Sequence, residues 1–295
     1  MFEIRRKGKV IEQETFADKI EKARRALADA DAIIIGAGAG LSTAAGIEYS
    51  GPRFNDNFTD FIARYGMTDM YTAGFYPFKT EEEKWAYWSR HIRMNRYDAP
   101  VGEVYKQLLE LVSGKPYFVV TTNVDAQFYR AGFDIERIWA VQGDYGKFQC
   151  AEACHDKLYD NHDAIMEMTE RQEDCRIPSE LVPRCPRCGE RMEVNIRKDR
   201  YFVEDQQWHE ERGRYEKFLN EVKDRKIVFL ELGVGFNTPT IIRLPFEKMV
   251  ASFDDATLVR VNLSYPELMA KIEEKSVVIA DDIGKAVAAI WKTNQ

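Results

Sequence analysis

The sequence predicts a doubly wound α/β fold, built on a parallel sheet, with a small second module. Six short runs of aliphatic residues recur along its 295 residues with little polar alternation, which is typical of strands buried on both faces of a parallel sheet. Helical stretches lie between or beside these runs, and that alternation favours helices on both faces of the sheet. Five cysteines crowded into residues 150–188 indicate the second module.

The predicted elements of the large domain follow from these runs. The strands cover residues 32–35, 117–120, 138–141, 227–232, 258–262 and 277–280. The helices cover residues 16–29, 104–112, 211–224 and 283–293. Because open parallel sheets bind ligands at the carboxyl ends of their strands, the residues after each strand are the first candidates for function.

Two segments interrupt the alternation. Residues 48–100 are rich in aromatic side chains and look helical or looped, and residues 144–207 hold all the cysteines and few strand-like runs. We expect these two insertions to form the small module, and residues 1–47, 101–143 and 208–295 to form the large domain. We expect most of the aromatic side chains to pack a core; the alternative is that they line a substrate or cofactor channel.

Composition excludes several classes of partner. The net charge of −7 and pI near 5.4 argue against nucleic acid or an anionic membrane as the partner, since both favour clustered positive charge. The N-terminus lacks the apolar run of about 7–15 residues found in signal peptides. The longest apolar run, residues 32–41, is broken by glycine and falls short of the roughly 20 residues that span a bilayer. We therefore expect a cytoplasmic protein.

A glycine loop follows the first predicted strand, with the sequence GAGAGLS over residues 36–42. Glycines let a backbone approach a pyrophosphate, whose charge is favoured by the N–H groups and dipole of a following helix. The GxGxxG fingerprint fails because Leu41 or Thr43 stands at its sixth position, and no Lys-Ser or Lys-Thr closes a P-loop. The loop predicts a nucleotide site of unspecified type; a purely structural turn is the alternative.

Polar residues also follow the other predicted strands. These loops cover residues 121–125, 232–237, 262–264 and 281–282. Asn123 and Asp125, two residues apart at a strand's carboxyl end, can both face one ligand. Each loop could be a plain turn. Their shared placement after successive strands favours a single ligand crevice.

The cysteine spacing predicts a structural zinc site. Two close pairs, separated by three and two residues respectively, form the expected ligand set of Cys150, Cys154, Cys185 and Cys188. Four thiolates leave no coordination position open, so such a zinc is structural rather than catalytic. His155 could substitute for one ligand, although the spacing does not require it. Cys175 is expected to be an ordinary thiol, and His91, His162 and His209 ordinary core or surface side chains.

In this order the motifs resemble those of the sirtuin family over roughly residues 20–290. The GAGLS loop followed by Gly46-Ile47 is similar to the family's GAGxS…GI loop, and residues 121–125 resemble its TQNxD motif with Thr122 in the Gln position. The resemblance implies a Rossmann-like domain that binds NAD, as substrate, against a zinc module. It also implies cleavage of the nicotinamide–ribose bond.

Three departures from the sirtuin deacylases narrow the resemblance. Gln142-Gly143 replaces their His-Gly, residues 48–54 replace Pro-Asp-Phe-Arg, and Arg197-Lys198-Asp199 lies near a missing Phe-Gly-Glu stretch. These differences resemble the macrodomain-linked, class M sirtuins. That resemblance implies a protein ADP-ribosyltransferase acting on a lipoyl-carrier protein, with a functional link to a macrodomain that removes ADP-ribose.

The strand-end loops and the resemblance together give the candidate site. The catalytic candidates are Asn123, Asp125 and Gln142. The cofactor-binding candidates are Gly38, Ala39, Gly40, Ser42, Arg53, Phe54, Thr122, Asn123, Val124, Asp125, Gln142, Gly233, Val234, Gly235, Asn237, Asn262, Leu263 and Asp282.

The chemistry of these side chains favours transfer over deacylation. Loss of nicotinamide leaves an oxocarbenium-like ribose, which needs orientation and charge placement more than a strong base. Asn123 can hold the ribose or an attacking water, and Asp125 can bind the nicotinamide side or stabilise the developing cation. Deacylation further needs a base titrating near pH 7, and Gln142 cannot take a proton. The sequence predicts mono-ADP-ribosylation of a protein; the alternatives are a deacylase, an NAD glycohydrolase and a non-enzymatic NAD or ADP-ribose sensor.

Overall fold

The computed structural model describes residues 14–292, which form two sheets. The strands are β1 (Ala32–Ala37), β2 (Tyr117–Thr121), β3 (Ile138–Ala140), β4 (Gly143–Cys150), β5 (Tyr159–Asp160), β6 (Met192–Ile196), β7 (Ile227–Leu232), β8 (Ala256–Val261) and β9 (Ser276–Ile279). Six of them form a parallel sheet in the order β3-β2-β1-β7-β8-β9, and three form an antiparallel sheet in the order β5-β4-β6.

Twelve helices accompany the sheets in the described part of the chain. They are α1 (Phe16–Asp29), α2 (Ala39–Ala44), α3 (Pro52–Asn57), α4 (Thr59–Tyr65), α5 (Met70–Ala73), α6 (Glu81–Ile92), α7 (Glu103–Val112), α8 (Gln127–Arg130), α9 (His162–Arg171), α10 (Gln206–Val222), α11 (Arg243–Ser252) and α12 (Ile283–Lys292). A π-helical turn, Arg93–Tyr97, continues α6. Between residues 14 and 292, no helix is both long enough and apolar enough to cross a membrane.

The Rossmann-like parallel sheet confirms the predicted fold class. All residues of β1, β2 and β7 are buried, as expected of strands covered on both faces. The strand order reverses between β1 and β7, and such a switch point is where doubly wound folds bind ligands. The carboxyl ends of β1, β2, β7 and β8 meet there.

The predicted elements differ from the observed ones mainly at their ends. Helix α1 begins as predicted because Thr15 and Asp18 form a reciprocal cap, with N–H to side-chain oxygen distances of 2.9 and 3.2 Å. Helix α10 begins five residues before the predicted start, at Gln206 rather than 211, because the Asp205 carboxylate accepts the Trp208 N–H at 2.9 Å. Thr293, in the last predicted helix, lies outside the described residues.

Helix α11 is absent from the sequence prediction for a physical reason. Two of its buried positions carry charges, Arg243 and Glu247, so the apolar periodicity of a helix is broken. The Arg243 guanidinium donates to the Tyr265 carbonyl at 3.0 Å, and the Glu247 carboxylate accepts the Met269 N–H at 2.8 Å. These charges hold the loop after β8 instead of facing solvent.

A second hydrophobic cluster lies apart from the parallel sheet. Its members come from residues 54–92 and 145–194. Phe58 stacks on Phe54 at 5.3 Å between ring centroids, and Trp85 meets Phe148 edge to face at 5.0 Å. Most of the aromatic side chains thus pack a core. The boundaries of the small module stay a prediction.

Candidate active site

A cleft of about 780 Å³ lies at the carboxyl ends of the central parallel strands. It brings together all but two of the residues that the sequence nominated for catalysis or cofactor binding. Those that line it are Gly38, Ala39, Gly40, Ser42, Thr122, Asn123, Val124, Asp125, Gln142, Gly233, Val234, Gly235, Asn237, Asn262, Leu263 and Asp282.

The glycines at the floor of the cleft let two loops touch backbone to backbone. A Cβ on Gly38 would lie 2.7 Å from the Gly233 oxygen, and one on Gly40 would lie 2.7 Å from the Gly233 Cα. Gly233 itself has φ +64°, a conformation that disfavours other residues. The Gly40 N–H donates to the Gly233 carbonyl at 3.1 Å. These glycines are therefore required by the meeting of the β1 and β7 loops, in addition to any role in binding.

Asn123 is fixed in the cleft with one polar atom left over. Its amide nitrogen Nδ2 donates to the Gly38 carbonyl at 3.0 Å and to the Tyr105 hydroxyl at 3.4 Å, and its backbone N–H donates to Thr121 Oγ1 at 3.0 Å. Within residues 14–292, its Oδ1 has no hydrogen-bond partner. The side chain is thus held as an acceptor facing the cleft.

Asp125 lies deeper, with 4% of its surface exposed. Its Oδ2 accepts the Ser42 hydroxyl, and its Oδ1 accepts the Gln127 N–H at 3.0 Å. Burial raises the pKa of the Asp125 carboxyl, although both hydrogen bonds favour its charged form. The carboxylate is held rigidly beside Asn123, with each oxygen already accepting one hydrogen bond.

Gln142 follows β3 and lines the same cleft. Its side-chain Nε2 donates to Thr238 Oγ1 at 3.3 Å, and its backbone carbonyl accepts the backbone N–H of Arg197 at 3.0 Å. Arg197 and Lys198 also line the cleft, and they pair with Glu204 at 2.5 Å and with Glu193 at 2.9 Å, respectively. Sequence reasoning noted these two cations only as a departure from a motif.

Two of the cofactor-binding candidates do not line the cleft. Phe54 is fully buried and stacks on Phe58, so it faces the core of the second cluster rather than the cleft. The Arg53 guanidinium donates to Asn95 Oδ1 at 2.7 Å and to the Met94 carbonyl at 3.0 Å. Arg53 is absent from the cleft lining because these bonds turn it toward the residues after α6.

Two further candidates line the cleft while holding its loops. Asn262 Nδ2 donates to the Val234 carbonyl at 2.9 Å, and its Oδ1 accepts the N–H groups of Ser264 and Tyr265 at 3.1 and 2.9 Å. Asp282 accepts the Lys285 N–H at 2.7 Å at the start of α12. Both side chains therefore hold backbone segments that line the cleft in place.

One end of the cleft is aromatic, as the sequence analysis allowed only as its alternative for the aromatic side chains of residues 48–100. We call Tyr49, Trp88, His91 and Tyr145 the aromatic end; all four line the cleft. The His91 ring lies 5.4, 5.1 and 5.0 Å from the rings of Tyr49, Trp88 and Tyr145, respectively. His91 was expected to be an ordinary histidine. Its spacing on α6 resembles any buried helix face, and only the approach of β4 reveals the site.

The four predicted zinc ligands lie together in the second module. Their sulfur atoms are all within 4.8 Å of one another. The sulfurs of Cys150 and Cys188 are 3.6 Å apart, and those of Cys154 and Cys185 are 3.7 Å apart. A tetrahedral zinc with bonds of about 2.3 Å places its sulfurs about 3.8 Å apart, so the cluster fits zinc. Cys175 is buried outside this cluster, and burial raises the pKa of its thiol to about 11.

Sequence comparisons agree with this geometry. Residues 38–224 match the model of the Sir2 family. The chain is 40% identical over 275 residues to a Staphylococcus aureus protein named "Protein ADP-ribosyltransferase", covering 93% of this chain and 87% of that protein. It is 33% identical over 285 residues to a Fusarium oxysporum protein named "Probable bifunctional ADP-ribose hydrolase/ADP-ribosyltransferase", of which it spans 46%.

Solved structures share the fold at low sequence identity. One described as Sir2Tm bound to a propionylated peptide superposes with a TM-score of 0.57 at 18% identity, covering 94% of this chain and 98% of that one. Another, on the mechanism and regulation of Sir2 enzymes, gives a TM-score of 0.59 at 20% identity, covering 94% and 99%. Together with the family match and the Staphylococcus aureus relative, these findings show that the chain belongs to the Sir2 family.

Proposed function

We propose that the protein is an NAD-dependent protein mono-ADP-ribosyltransferase, which splits the nicotinamide–ribose bond and moves ADP-ribose to a protein side chain. One observation carries this proposal. The cleft that holds Asn123 and Asp125 presents a carboxamide, Gln142, where sirtuin deacylases carry an imidazole. The name of the Staphylococcus aureus relative supports the same activity.

The first step breaks the bond between ribose C1′ and the nicotinamide ring nitrogen. The electron pair goes to that nitrogen, so neutral nicotinamide leaves and positive charge develops on the ribose. Asn123 Oδ1, left without a partner in the described chain, can accept a ribose hydroxyl. An ionised Asp125, held by Ser42 and Gln127, would favour the developing charge. Neither task requires a proton to be removed.

The second step is attack on C1′ by a nucleophile of the acceptor, which loses its proton to solvent. Deacylation would instead need a base that takes a proton from a ribose hydroxyl, and such help typically contributes about 10²–10⁴-fold. Gln142 cannot act as that base. His91 cannot replace it, because burial, together with the charge of Arg53, lowers the pKa of its imidazole to about 3. Transfer is therefore the favoured reaction.

Two cationic side chains and the zinc site would support the reaction without taking part in its bond changes. Arg197 and Lys198, on the wall beside Gln142, can donate to the dinucleotide's phosphates while each also pairs with a carboxylate, Glu204 or Glu193. A zinc held by the four cysteine thiolates would stabilise the second module, and it would supply no chemistry to the cleft because no coordination position stays open.

The acceptor protein, the cellular location and a functional partner are also part of the proposal. We expect a lipoylated carrier protein as acceptor and a cytoplasmic location, where thiols stay reduced and available to a metal. We also expect a functional link to a macrodomain that removes ADP-ribose. The Fusarium relative, whose name joins an ADP-ribose hydrolase to an ADP-ribosyltransferase, supports such a pairing of activities.

Incubation of the protein and a lipoylated carrier with NAD labelled in its adenosine half tests the proposal. Label bound to protein is the expected result. Label only in free ADP-ribose would indicate a glycohydrolase, loss of the lipoyl group from the carrier would indicate a deacylase, and bound but unchanged NAD would indicate a sensor. Each of these results would overturn the proposal.

The same assay tests the site assignment. Asn123→Ala should lower nicotinamide release at least 100-fold, because the ribose loses its orienting group. Asn220→Ala is the matched control, since that exposed side chain only donates to the Glu216 carbonyl on α10. Unchanged release by Asn123→Ala would mean that the reacting ribose lies elsewhere.

A further inference from the structure

Helix α10 holds the backbone that leads into Gln142. Strand β3, which ends just before Gln142, stands at one edge of the parallel sheet beside β2. The Ala140 N–H donates to the Glu211 carboxylate at 3.3 Å. The Val141 carbonyl accepts the Trp208 indole N–H at 3.2 Å. Two side chains from one helix thus bond to the two residues that precede Gln142.

Both of these side chains are buried polar groups. Glu211 has 4% and Trp208 has 8% of its surface exposed. Burial of a carboxylate costs free energy unless hydrogen bonds offset it, and an apolar side chain at position 211 would pack against the sheet without that cost. The indole N–H is the single hydrogen-bonding group of Trp208, and it is used on Val141. The pair therefore fixes a particular backbone position in addition to filling the core.

The residues that lead into α10 hold the other side of Gln142. The Arg197 backbone N–H donates to the Gln142 backbone carbonyl at 3.0 Å. The Arg197 guanidinium pairs with Glu204 at 2.5 Å and lies 4.2 Å from the ring centroid of Phe202. It also lies 5.5 Å from the ring centroid of Trp208. The backbone around Gln142 is thus held between α10 and the segment just before it.

The side chain of Gln142 is held less firmly than its backbone. Its one hydrogen bond in the described chain joins Nε2 to Thr238 Oγ1 at 3.3 Å, which is longer than most N–H···O bonds. A carboxamide can both donate and accept, so Gln142 keeps groups free for a ribose hydroxyl in the cleft. The direction of this side chain therefore depends on the backbone that α10 holds.

We propose that Trp208 and Glu211 are positioning residues, which hold the backbone before Gln142 and so fix its carboxamide against the ribose. This inference rests on the proposed function, in which the ribose reacts beside Gln142. Displacement of a positioned group by about 1 Å can cost about 100-fold in rate. The effect of either positioning residue on catalysis should pass through Gln142 and disappear when that side chain is removed.

A double-mutant cycle of Trp208→Phe and Gln142→Ala tests this route. Phe keeps an aromatic ring in the core and removes the N–H that bonds to Val141. We expect Trp208→Phe alone to slow nicotinamide release about 10-fold and to weaken ADP-ribose binding, measured by calorimetry, about 3-fold. In the Gln142→Ala background the same change should alter either quantity less than about 2-fold, because residues that act through one group are not additive. Losses that multiply in the double variant would overturn the inference.

Trp291→Phe is the matched control for the loss of an indole N–H. The Trp291 indole donates to the Glu110 carboxylate at 2.6 Å, and Trp291 does not line the cleft. Nicotinamide release and ADP-ribose binding should stay within about 2-fold of the values for the unmodified protein. Losses equal to those of Trp208→Phe would contradict a specific role for Trp208.

A second pair of variants keeps the test decisive if Trp208→Phe does not fold. Glu211→Gln retains a carbonyl oxygen for the Ala140 N–H, so nicotinamide release should stay within about 2-fold. Glu211→Leu retains the volume and removes the acceptor, so release should slow about 10-fold while circular dichroism shows a folded protein. Equal release by the two folded variants would overturn the inference.

Product analysis separates this inference from the proposed function. If NAD is cleaved and no label reaches protein, the transferase fails and the cycle on nicotinamide release still decides the positioning role. If NAD is not cleaved, the cycle on ADP-ribose binding decides it. Label on protein together with losses that multiply would overturn only the positioning role.

Discussion

The two ends of the cleft differ in whether their polar groups already have hydrogen-bond partners within the protein. At the glycine loops the chain bonds to itself: the Gly38 and Gly40 N–H groups donate to the carbonyls of Leu232 and Gly233 at 3.0 and 3.1 Å. At the aromatic end, His91 Nε2 is buried and has no hydrogen-bond partner among residues 14–292. The loops therefore form a shape that exists without ligand, whereas the aromatic end holds hydrogen-bonding capacity that a ligand would satisfy.

The largest predicted difference between the two ends of the cleft follows from loss of the zinc site. Strand β4 carries both Tyr145 and the ligand Cys150, so Cys185→Ser should disorder the second module and the aromatic end while the parallel sheet stays folded. We expect label transfer to fall more than about 100-fold, with helical circular dichroism largely retained. Cys175→Ala is the control, since this thiol lies outside the ligand cluster. Full transfer by a zinc-free protein would refute this dependence.

A methyl group added at Gly233 tests the glycine-loop end of the cleft. Gly233→Ala would place its Cβ 2.5 Å from the Gly40 Cα at a φ of +64°, so the two loops must move apart. We expect NAD affinity to fall about 10- to 100-fold, measured by calorimetry. Gly235→Ala is matched in sequence, and its Cβ would meet nothing closer than Tyr265 at 3.8 Å. Equal losses in the two variants would contradict a contact-specific role for Gly233.

The smallest expected effect is a pH dependence of folding stability, and it comes from a residue outside the cleft. Burial raises the pKa of Glu211 from 4.5 to about 7, although its carboxylate accepts the Gln207 side-chain N–H at 2.9 Å. Since the folded pKa lies above the unfolded one, the folded state holds the proton more tightly. Stability should fall as pH rises from about 4.5 to 7, by up to roughly 3 kcal/mol, and then level off.

Glu211→Gln should remove this slope from thermal unfolding curves measured between pH 4.5 and 8. The control is Glu216→Gln, an exposed carboxylate on the same helix that pairs with Arg212 at 2.8 Å. A slope that persists in Glu211→Gln would place the titrating group elsewhere. If nicotinamide release also changes near pH 7, the same variant shows whether the scaffold or the cleft is responsible.

The sequence predicted the glycine-loop end of the cleft better than the aromatic end. Strand β7 and its glycine turn were predicted because unbroken aliphatic runs and glycines are local signals. The position of Phe54 in the core, outside the cleft lining, could not be predicted, because a linear motif does not show which way a ring faces. The contacts of His91 with Tyr49 and Tyr145 could not be predicted because these residues come from distant segments that only tertiary packing brings together.

Helix α11 shows a further limit. Its buried Arg243 and Glu247 contradict the rule that charges face water. Their partners include Glu231 on β7 and Arg260 on β8, in a fully buried network. Such compensated charges carry no apolar pattern, and the helix they occupy is invisible to periodicity.

The ratio of nicotinamide released to ADP-ribose bound to protein tests the central claim most directly. With NAD labelled in both halves and the carrier in excess, a cleft with Gln142 in place of a titrating base should give a ratio near one throughout the reaction, with no acyl group lost from the carrier. A ratio well above one would make water the acceptor, and loss of acyl groups would mean that the cleft contains a base after all.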